Sequence, residues 1–420
     1  MADSLTLKGA GGRRFWSFIA GMGMIAASVL TIRHFFLANF PESIFQGSFC
    51  DLNAFFNCDS SAYSPLAHFH GIPMGYLGLF AGALVVLGAL FPSPSFERTN
   101  KFLAFCNALG VVGLFVYTVF FLHTLCLFCA AYYVFSLFSF FLFWRYGLAG
   151  SIPALKFLAV FAVVALSGAY GFHLFYEAKR NAQFGGIAMN VVKEYYSLDE
   201  VQNPSIISPF WTAKATERFE DAPIRVIEYA DFLCPDCLYL FRQFERLSKE
   251  YEGKLNIAFQ HFPLEAKCNT VVEKNLHPGA CDLALIASFD PAKFKAIHDE
   301  IFQNFEKARS PEWRAELAKR YGVEAALTDP AVRNLVQQII NTGAEYEKTS
   351  DKFAHGIRST PTMIINNRMI IGTLPYAHLK AIFESLLSEG GRPTGKGRFM
   401  ENWVDLRPKK KPARTPRPKE

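Results

Sequence analysis

Eight of the nine cysteines in this 420-residue chain fall into four close pairs, and each pair points to its own chemistry. Cys234-Pro235-Asp236-Cys237 follows a buried-strand pattern at Ile224–Ala230 and leads into an amphipathic helical pattern at Leu238–Tyr251. A first sulfur at a helix N-terminus meets free N–H groups and the positive end of the helix dipole, which favour its thiolate. The spacing also lets the two sulfurs close an exchangeable disulfide. A zinc half-site or a structural disulfide is the competing reading, and the lack of a second C-x-x-C in this part of the chain disfavours zinc. Cys126-Leu127-Phe128-Cys129 opens an apolar run instead. Its sulfurs share one helix face, which Tyr133 continues a turn further on. Thiols held in a bilayer reach a lipid-soluble partner more readily than a protein. Cys50 and Cys58 lie in the loop between two apolar runs. Cys268 and Cys281 bracket a Pro- and Gly-containing stretch; they read as a structural disulfide worth about 3 kcal/mol on chain-entropy grounds, or else as a third redox pair. Cys106 is left over, and a small buried apolar role suits its place inside a run.

The elements that must position these pairs are of two kinds. Hydrophobic residues make up 51% of the chain and charged residues 19%, with 43 Phe and a mean hydropathy of +0.15. That excess indicates membrane spans and excludes a disordered or nucleic-acid-coating chain. Five runs pass the length of a spanning helix, at Phe15–Leu37, Ile72–Phe91, Phe102–Leu122, Leu125–Phe143 and Ala154–Tyr176. Lys8, Arg13, Arg14, Arg98, Lys101, Arg145 and Lys156 all fall in loops on one side, while residues 38–71 and the His123–Thr124 turn hold no Lys or Arg. The positive-inside rule therefore predicts a cytoplasmic N-terminus and an exterior segment from Glu177 onward, periplasmic in a bacterium and permissive for disulfides. That segment reads as strand Ile224–Ala230, helix, strand Leu255–His261, a helical stretch over about 285–350, a hairpin of Met363–Asn366 with Arg368–Ile371, and a closing helix at Tyr376–Leu387. Such an order is α/β. The formal charge of +6 sits in the tail: residues 391–420 carry about +7 and the rest about −1. The Pro, Gly and Lys content there predicts disorder.

Two resemblances sharpen this reading. The stretch Glu228-Tyr-Ala-Asp-Phe-Leu-Cys234 with its Cys-Pro-Asp-Cys resembles the DsbA-like branch of the thioredoxin superfamily over about 220–388. The resemblance implies that Glu228, six residues before Cys234, is a buried acid passing a proton to Cys237. It also implies that Thr360-Pro361 is the cis-proline loop binding substrate backbone. Residues of roughly 13–145 resemble the vitamin K epoxide reductase family. The shared features are a four-helix core, the C-x7-C loop pair, Ser64 six residues after Cys58, Gly71-Ile-Pro-Met-Gly75 before the second span, and C-x-x-C with a tyrosine four residues on. That resemblance implies that Cys126 and Cys129 reduce a quinone, ubiquinone or menaquinone, and that Cys50 and Cys58 relay electrons from the thioredoxin-like partner. Tyr133, Ser64 and Asn107 are the quinone contacts it suggests. An interfacial tyrosine, a helix cap and a helix–helix hydrogen bond are their respective structural alternatives.

The domains expected are a cytoplasmic N-terminus (1–14), the quinone-reducing membrane domain (15–145), a linker with the fifth span (146–176), a connecting segment (177–222), the DsbA-like domain (223–390) and the basic tail (391–420). The expected fold is a multi-pass helical membrane domain followed by a periplasmic thioredoxin-like α/β domain with a helical insertion. The function expected is a membrane thiol–disulfide oxidoreductase that introduces disulfides into periplasmic client proteins and delivers their electrons to the membrane quinone pool. Asp236 disfavours a thiolate at Cys234, which keeps a quinone-linked isomerase in contention. A membrane-anchored binding or chaperone module with structural disulfides is the alternative from another class. His68 and His70 have the wrong spacing for a helical metal pair and His123 sits on a turn, so no metal is expected. Nor is a nucleotide or nucleic acid.

Overall fold

A computed structural model describes residues 2–44, 56–122, 124–147, 152–273, 275–347 and 356–388. Cys50, His123 and the basic tail therefore lie outside the described residues. The chain divides into two compact units, one of Met1–Pro41, Gly47–Arg180 and Asn304–Trp313, the other of Glu42–Gln46, Asn181–Gln303 and Arg314–Glu420.

The first unit is helical. It holds α1 (Ala2–Asn39), a short α2 (Cys58–Ala62), a two-residue hairpin of β1 (His68–Phe69) and β2 (Ile72–Pro73), α3 (Gly75–Leu90), α4 (Pro94–Val116), α5 (Leu127–Tyr146) and α6 (Leu155–Gln183). Among the described residues, four helices are long and apolar enough to cross a membrane; α3, with 16 residues, is shorter. At 1.5 Å per residue it spans about 24 Å against the roughly 30 Å of a bilayer core. The expected span at Ile72–Phe91 is shortened because Ile72 and Pro73 pair with Phe69 and His68 in the hairpin, leaving the helix to start at Gly75. A π-helical turn, Tyr117–Phe121, extends α4. Small residues let α1 and α3 approach closely. A Cβ on Gly82 would stand 3.0 Å from the Gly21 carbonyl oxygen, and one on Gly78 would strike Tyr132 and Ser28. Arg13 makes a bidentate pair with Glu97 at 2.6 and 2.9 Å, which brings the N-terminal ends of α1 and α4 together. Arg14, Arg98 and Lys101 thereby share one end of the bundle.

The second unit contains α7 (Gly186–Ser197), β3 (Trp211–Ala213), β4 (Ile224–Ala230), α8 (Pro235–Glu250), β5 (Leu255–His261), α9 (Ala280–Ser288), α10 (Pro291–Gln303), α12 (Pro330–Asn341), β6 (Thr362–Ile365), β7 (Arg368–Ile371) and α13 (Tyr376–Leu387), with α11 (Pro311–Tyr321) divided between the units. The sheet order is β3-β5-β4-β6-β7, with β4 and β5 parallel and the other pairs antiparallel. Alternate residues of the central strand face opposite cores, as period two requires. Val226 packs with Leu240, Leu379 and Phe383, while Ile227 and Tyr229 pack with Phe262, Val336 and Ile340. Asn366 and Asn367, both with positive φ (39° and 68°), form the two-residue turn joining β6 to β7.

Candidate active sites

Both C-x-x-C pairs are built alike. Cys234 and Cys126 are N-cap residues in extended conformation, and Cys237 and Cys129 lie one turn inside the helix that follows. All four are free thiols in the structure.

In the thioredoxin-like unit, Pro235 opens α8 and leaves the Cys234 side chain beside the loop before β6. The Thr360–Pro361 peptide bond is cis, and the Cys234 thiol donates to the Thr360 carbonyl at 3.4 Å. The Thr360–Pro361 loop thus lies beside the Cys234 thiol. Burial works against ionisation of Cys234, but the hydrogen bond from Cys237 and the charge of His277 outweigh it and bring the thiol down to about 7. Burial, joined by the neighbouring Cys234, pushes Cys237 well up. The pair is thus polarised, with the more readily ionised thiol at Cys234. Glu228 sits on β4 beneath them, and burial raises its carboxyl to about 8. At neutral pH it holds a proton. A cavity of about 390 Å³ reaches Glu228, bordered by Phe241, His298 and Lys295. The Cys268–Cys281 disulfide is formed, with Cα atoms 5.9 Å apart.

In the membrane unit, Cys58 is disulfide-bonded and fully buried, and it packs against Cys126 with Phe128 and Cys129 alongside. The Cys129 N–H donates to Cys126 Sγ at 3.4 Å. Two cavities meet here. A small one, about 70 Å³, is lined by Cys58, Cys126, Cys129, His34 and Ser64. A larger apolar one, about 420 Å³, is lined by Cys129, Tyr132, Tyr133, Asn107 and Gly78 among others. Cys129 borders both. Its size and apolar walls suit a planar lipid-soluble ring.

The finer expectations fare unevenly. Tyr133 lies on the large cavity, one turn from Cys129. Asn107 lies there too, but its amide donates to Ser136 Oγ at 2.6 Å and accepts from Tyr132 at 2.8 Å, so it also ties α4 to α5. Ser64 lies on the small cavity only, and its hydroxyl donates to the Ser61 carbonyl at 2.9 Å. Cys106 is not buried: it is exposed and lines the large cavity. Sequence reasoning missed Tyr132, whose tie to Asn107 was readable only as a second tyrosine beside Tyr133. It also missed His34, whose Nε2 lies 2.9 Å from Asp59 Oδ1 beside Cys58. Among the described residues no cluster of His, Cys, Asp and Glu has the arrangement to hold a metal.

Comparison with known proteins agrees with this division. Residues 15–144 match the vitamin K epoxide reductase family, and residues 219–385 match the Thioredoxin family. The chain therefore carries a vitamin K epoxide reductase domain at its N-terminus and a thioredoxin-like domain at its C-terminus. It is similar to the probable disulfide bond formation protein D of Bacillus cereus, with 34% identity over 23% of this chain and 43% of that protein. It is also similar to the disulfide bond formation protein D of Bacillus subtilis, with 25% identity over 40% of this chain and 74% of that one. Among solved structures, the thiol-disulfide exchange protein alpha-DsbA2 from Wolbachia pipientis aligns at 15% identity, covering 48% of this chain and 99% of that one with a TM-score of 0.30. The chain spans less than half the length of the first curated relatives it matches.

Proposed function

We propose that this protein is a quinone-linked thiol–disulfide oxidoreductase that oxidises client thiols outside the cytoplasmic membrane. The observation that carries the reading is the position of Cys129, bordering both the small cavity shared with Cys58 and Cys126 and the large apolar cavity walled by Tyr133. A client thiolate attacks the Cys234–Cys237 disulfide at Cys234, and the client's second thiol completes its own disulfide and leaves both domain cysteines reduced. Cys234 then attacks the Cys50–Cys58 disulfide at Cys50, and Cys237 resolves that mixed disulfide. Freed Cys58 attacks the Cys126–Cys129 disulfide at Cys126, and Cys50 resolves it. Each exchange moves two electrons inward and leaves a disulfide behind. A quinone in the large cavity accepts two electrons and two protons from Cys126 and Cys129. Tyr133, on the wall of that cavity, donates a hydrogen bond to a quinone oxygen. Glu228 supplies and takes up the proton of buried Cys237, and the adjoining cavity is its route to water. Covalent tethering of the two domains makes the relay intramolecular, at effective concentrations of about mM.

Purified protein given a reduced dithiol peptide is expected to reduce a short-chain quinone with one quinol formed per peptide disulfide. Peptide oxidation without quinol formation would remove the membrane half of the proposal. The orientation proposed, N-terminus cytoplasmic and thioredoxin-like domain periplasmic, is tested by reporter fusions. A fusion after Lys156 should behave as cytoplasmic and one after Arg180 as periplasmic. Finding both on one side would leave client oxidation and quinone reduction in separate compartments.

A further inference from the structure

The loop between β5 and α9 brings a histidine to the thioredoxin-like site from outside its motif. His277 Nδ1 lies 2.8 Å from Asp231 Oδ2, and both side chains are buried. Asp231 stands on the turn between β4 and α8, three residues before Cys234, and its backbone N–H donates to Cys237 Sγ at 3.5 Å. Its carboxylate is itself fixed, accepting from the Leu233 N–H at 2.7 Å and the Leu264 N–H at 2.6 Å. The histidine is anchored through its backbone as well. The N–H groups of Leu276 and His277 both donate to the Leu264 carbonyl, at 2.9 and 3.1 Å. Glu265 accepts from the Gly279 and Cys281 N–H groups at 3.0 and 2.9 Å.

A thiolate buried at Cys234 needs a nearby positive charge. Asp236, inside the motif, has the wrong sign. Among the described residues, the ionisable groups that act on Cys234 are Cys237 on the same helix, Asp231 on the turn and His277 on the loop, while Glu228 on β4 acts on Cys237. On its far side the loop meets Arg314, which lies against Gly279 and pairs with Asp282; Lys267 also pairs with Asp282. Among the described residues, His277 is thus the basic group that acts on the Cys234 sulfur.

We propose that His277, oriented by Asp231, is a positioning residue for thiol exchange, stabilising the Cys234 thiolate as an imidazolium supplied from outside the C-x-x-C. The inference rests on the exchange reading above and deepens it. When the client's second thiolate attacks the client sulfur of the mixed disulfide, the client S–S bond forms and the bond to Cys234 breaks. The electron pair then leaves on Cys234 Sγ. Stabilising that leaving group makes the domain disulfide more oxidising, which favours oxidase over isomerase.

The test is the pH profile of Cys234 alkylation in full-length reduced protein, read by mass spectrometry of the Cys234 peptide. Wild type is expected to show a midpoint near 7. In His277→Gln the midpoint should rise by about one unit, slowing alkylation at pH 6 about tenfold, and the glutathione equilibrium should move about tenfold toward the disulfide. His277→Lys, which keeps a cation on the loop, should stay within about threefold of wild type. A folded His277→Gln protein with the wild-type profile overturns the proposal. Should that variant not fold, a wild-type midpoint at or above the ~8.5 of an unassisted thiol also overturns it, whereas midpoints near 7 in both wild type and His277→Lys support it. A Cys234 peptide that stays unlabelled in fully reduced wild type sinks the exchange reading itself, so the two failures are distinguishable.

Discussion

Serine at Cys237 is expected to stop electron flow between the two domains and to trap Cys234 bonded to Cys50, whereas serine at Cys50 should accumulate Cys58 bonded to Cys126. Each mixed disulfide persists because the sulfur that normally resolves it is missing. Quinol formation should fall at least about 100-fold in both variants, since thiols acting as one relay are lost together rather than in proportion. The second trap has direct geometric support: Cys58 and Cys126 are buried against each other, so their sulfurs need little movement to bond. The first requires the loop carrying Cys50 to meet Cys234. Non-reducing gels of the two variants, with the linkages assigned by peptide mass spectrometry, read the order directly. Trapped pairs of any other composition would count against it, and so would their absence in variants that still fold.

The legibility of this chain in its sequence follows from the physics of each element. Ile224–Ala230, Leu255–His261 and Tyr376–Leu387 have the predicted bounds because a buried parallel strand and an amphipathic closing helix each impose a pattern on every residue they contain. Both C-x-x-C pairs were readable as helix openings for the same local reason. Strand β3, Trp211–Ala213, went unread because three half-buried residues carry no period. The start of α3 was misplaced because hydropathy does not distinguish Ile72 in a hairpin from Ile72 in a helix. The site residues that escaped notice are those whose partners lie far away in sequence. Asp231 and His277 are 46 positions apart, and nothing local marks either as the other's partner. His34 and Asp59 pose the same problem. Motif spacing locates sulfur that must close a ring with nearby sulfur; it is blind to charges that act through space.

Removing Cys268 and Cys281 together, as Cys268→Ala/Cys281→Ala, is expected to lower the stability of the thioredoxin-like domain by about 3 kcal/mol and to leave quinone reduction by a reduced peptide largely intact. The stability loss is the entropy of a loop closed across 13 positions. Activity should survive because the loop is held by other means. Glu265 binds the Gly279 and Cys281 amides, Leu264 binds the Leu276 and His277 amides, and none of these contacts uses a sulfur. Neither cysteine is the N-cap of a helix, as Cys234 is of α8: Gly279 caps α9, and Cys281 lies inside it. Cys234→Ala/Cys237→Ala should behave in the opposite way. The domain core is packed with both of these thiols free, so their loss should cost only about 1 kcal/mol per buried sulfur replaced, while client oxidation disappears. Thermal melts and peptide turnover on both double variants separate the two roles. If the Cys268/Cys281 variant stays folded and turnover stops, that disulfide is a third relay pair, and electrons enter the domain by a route that does not begin at Cys234.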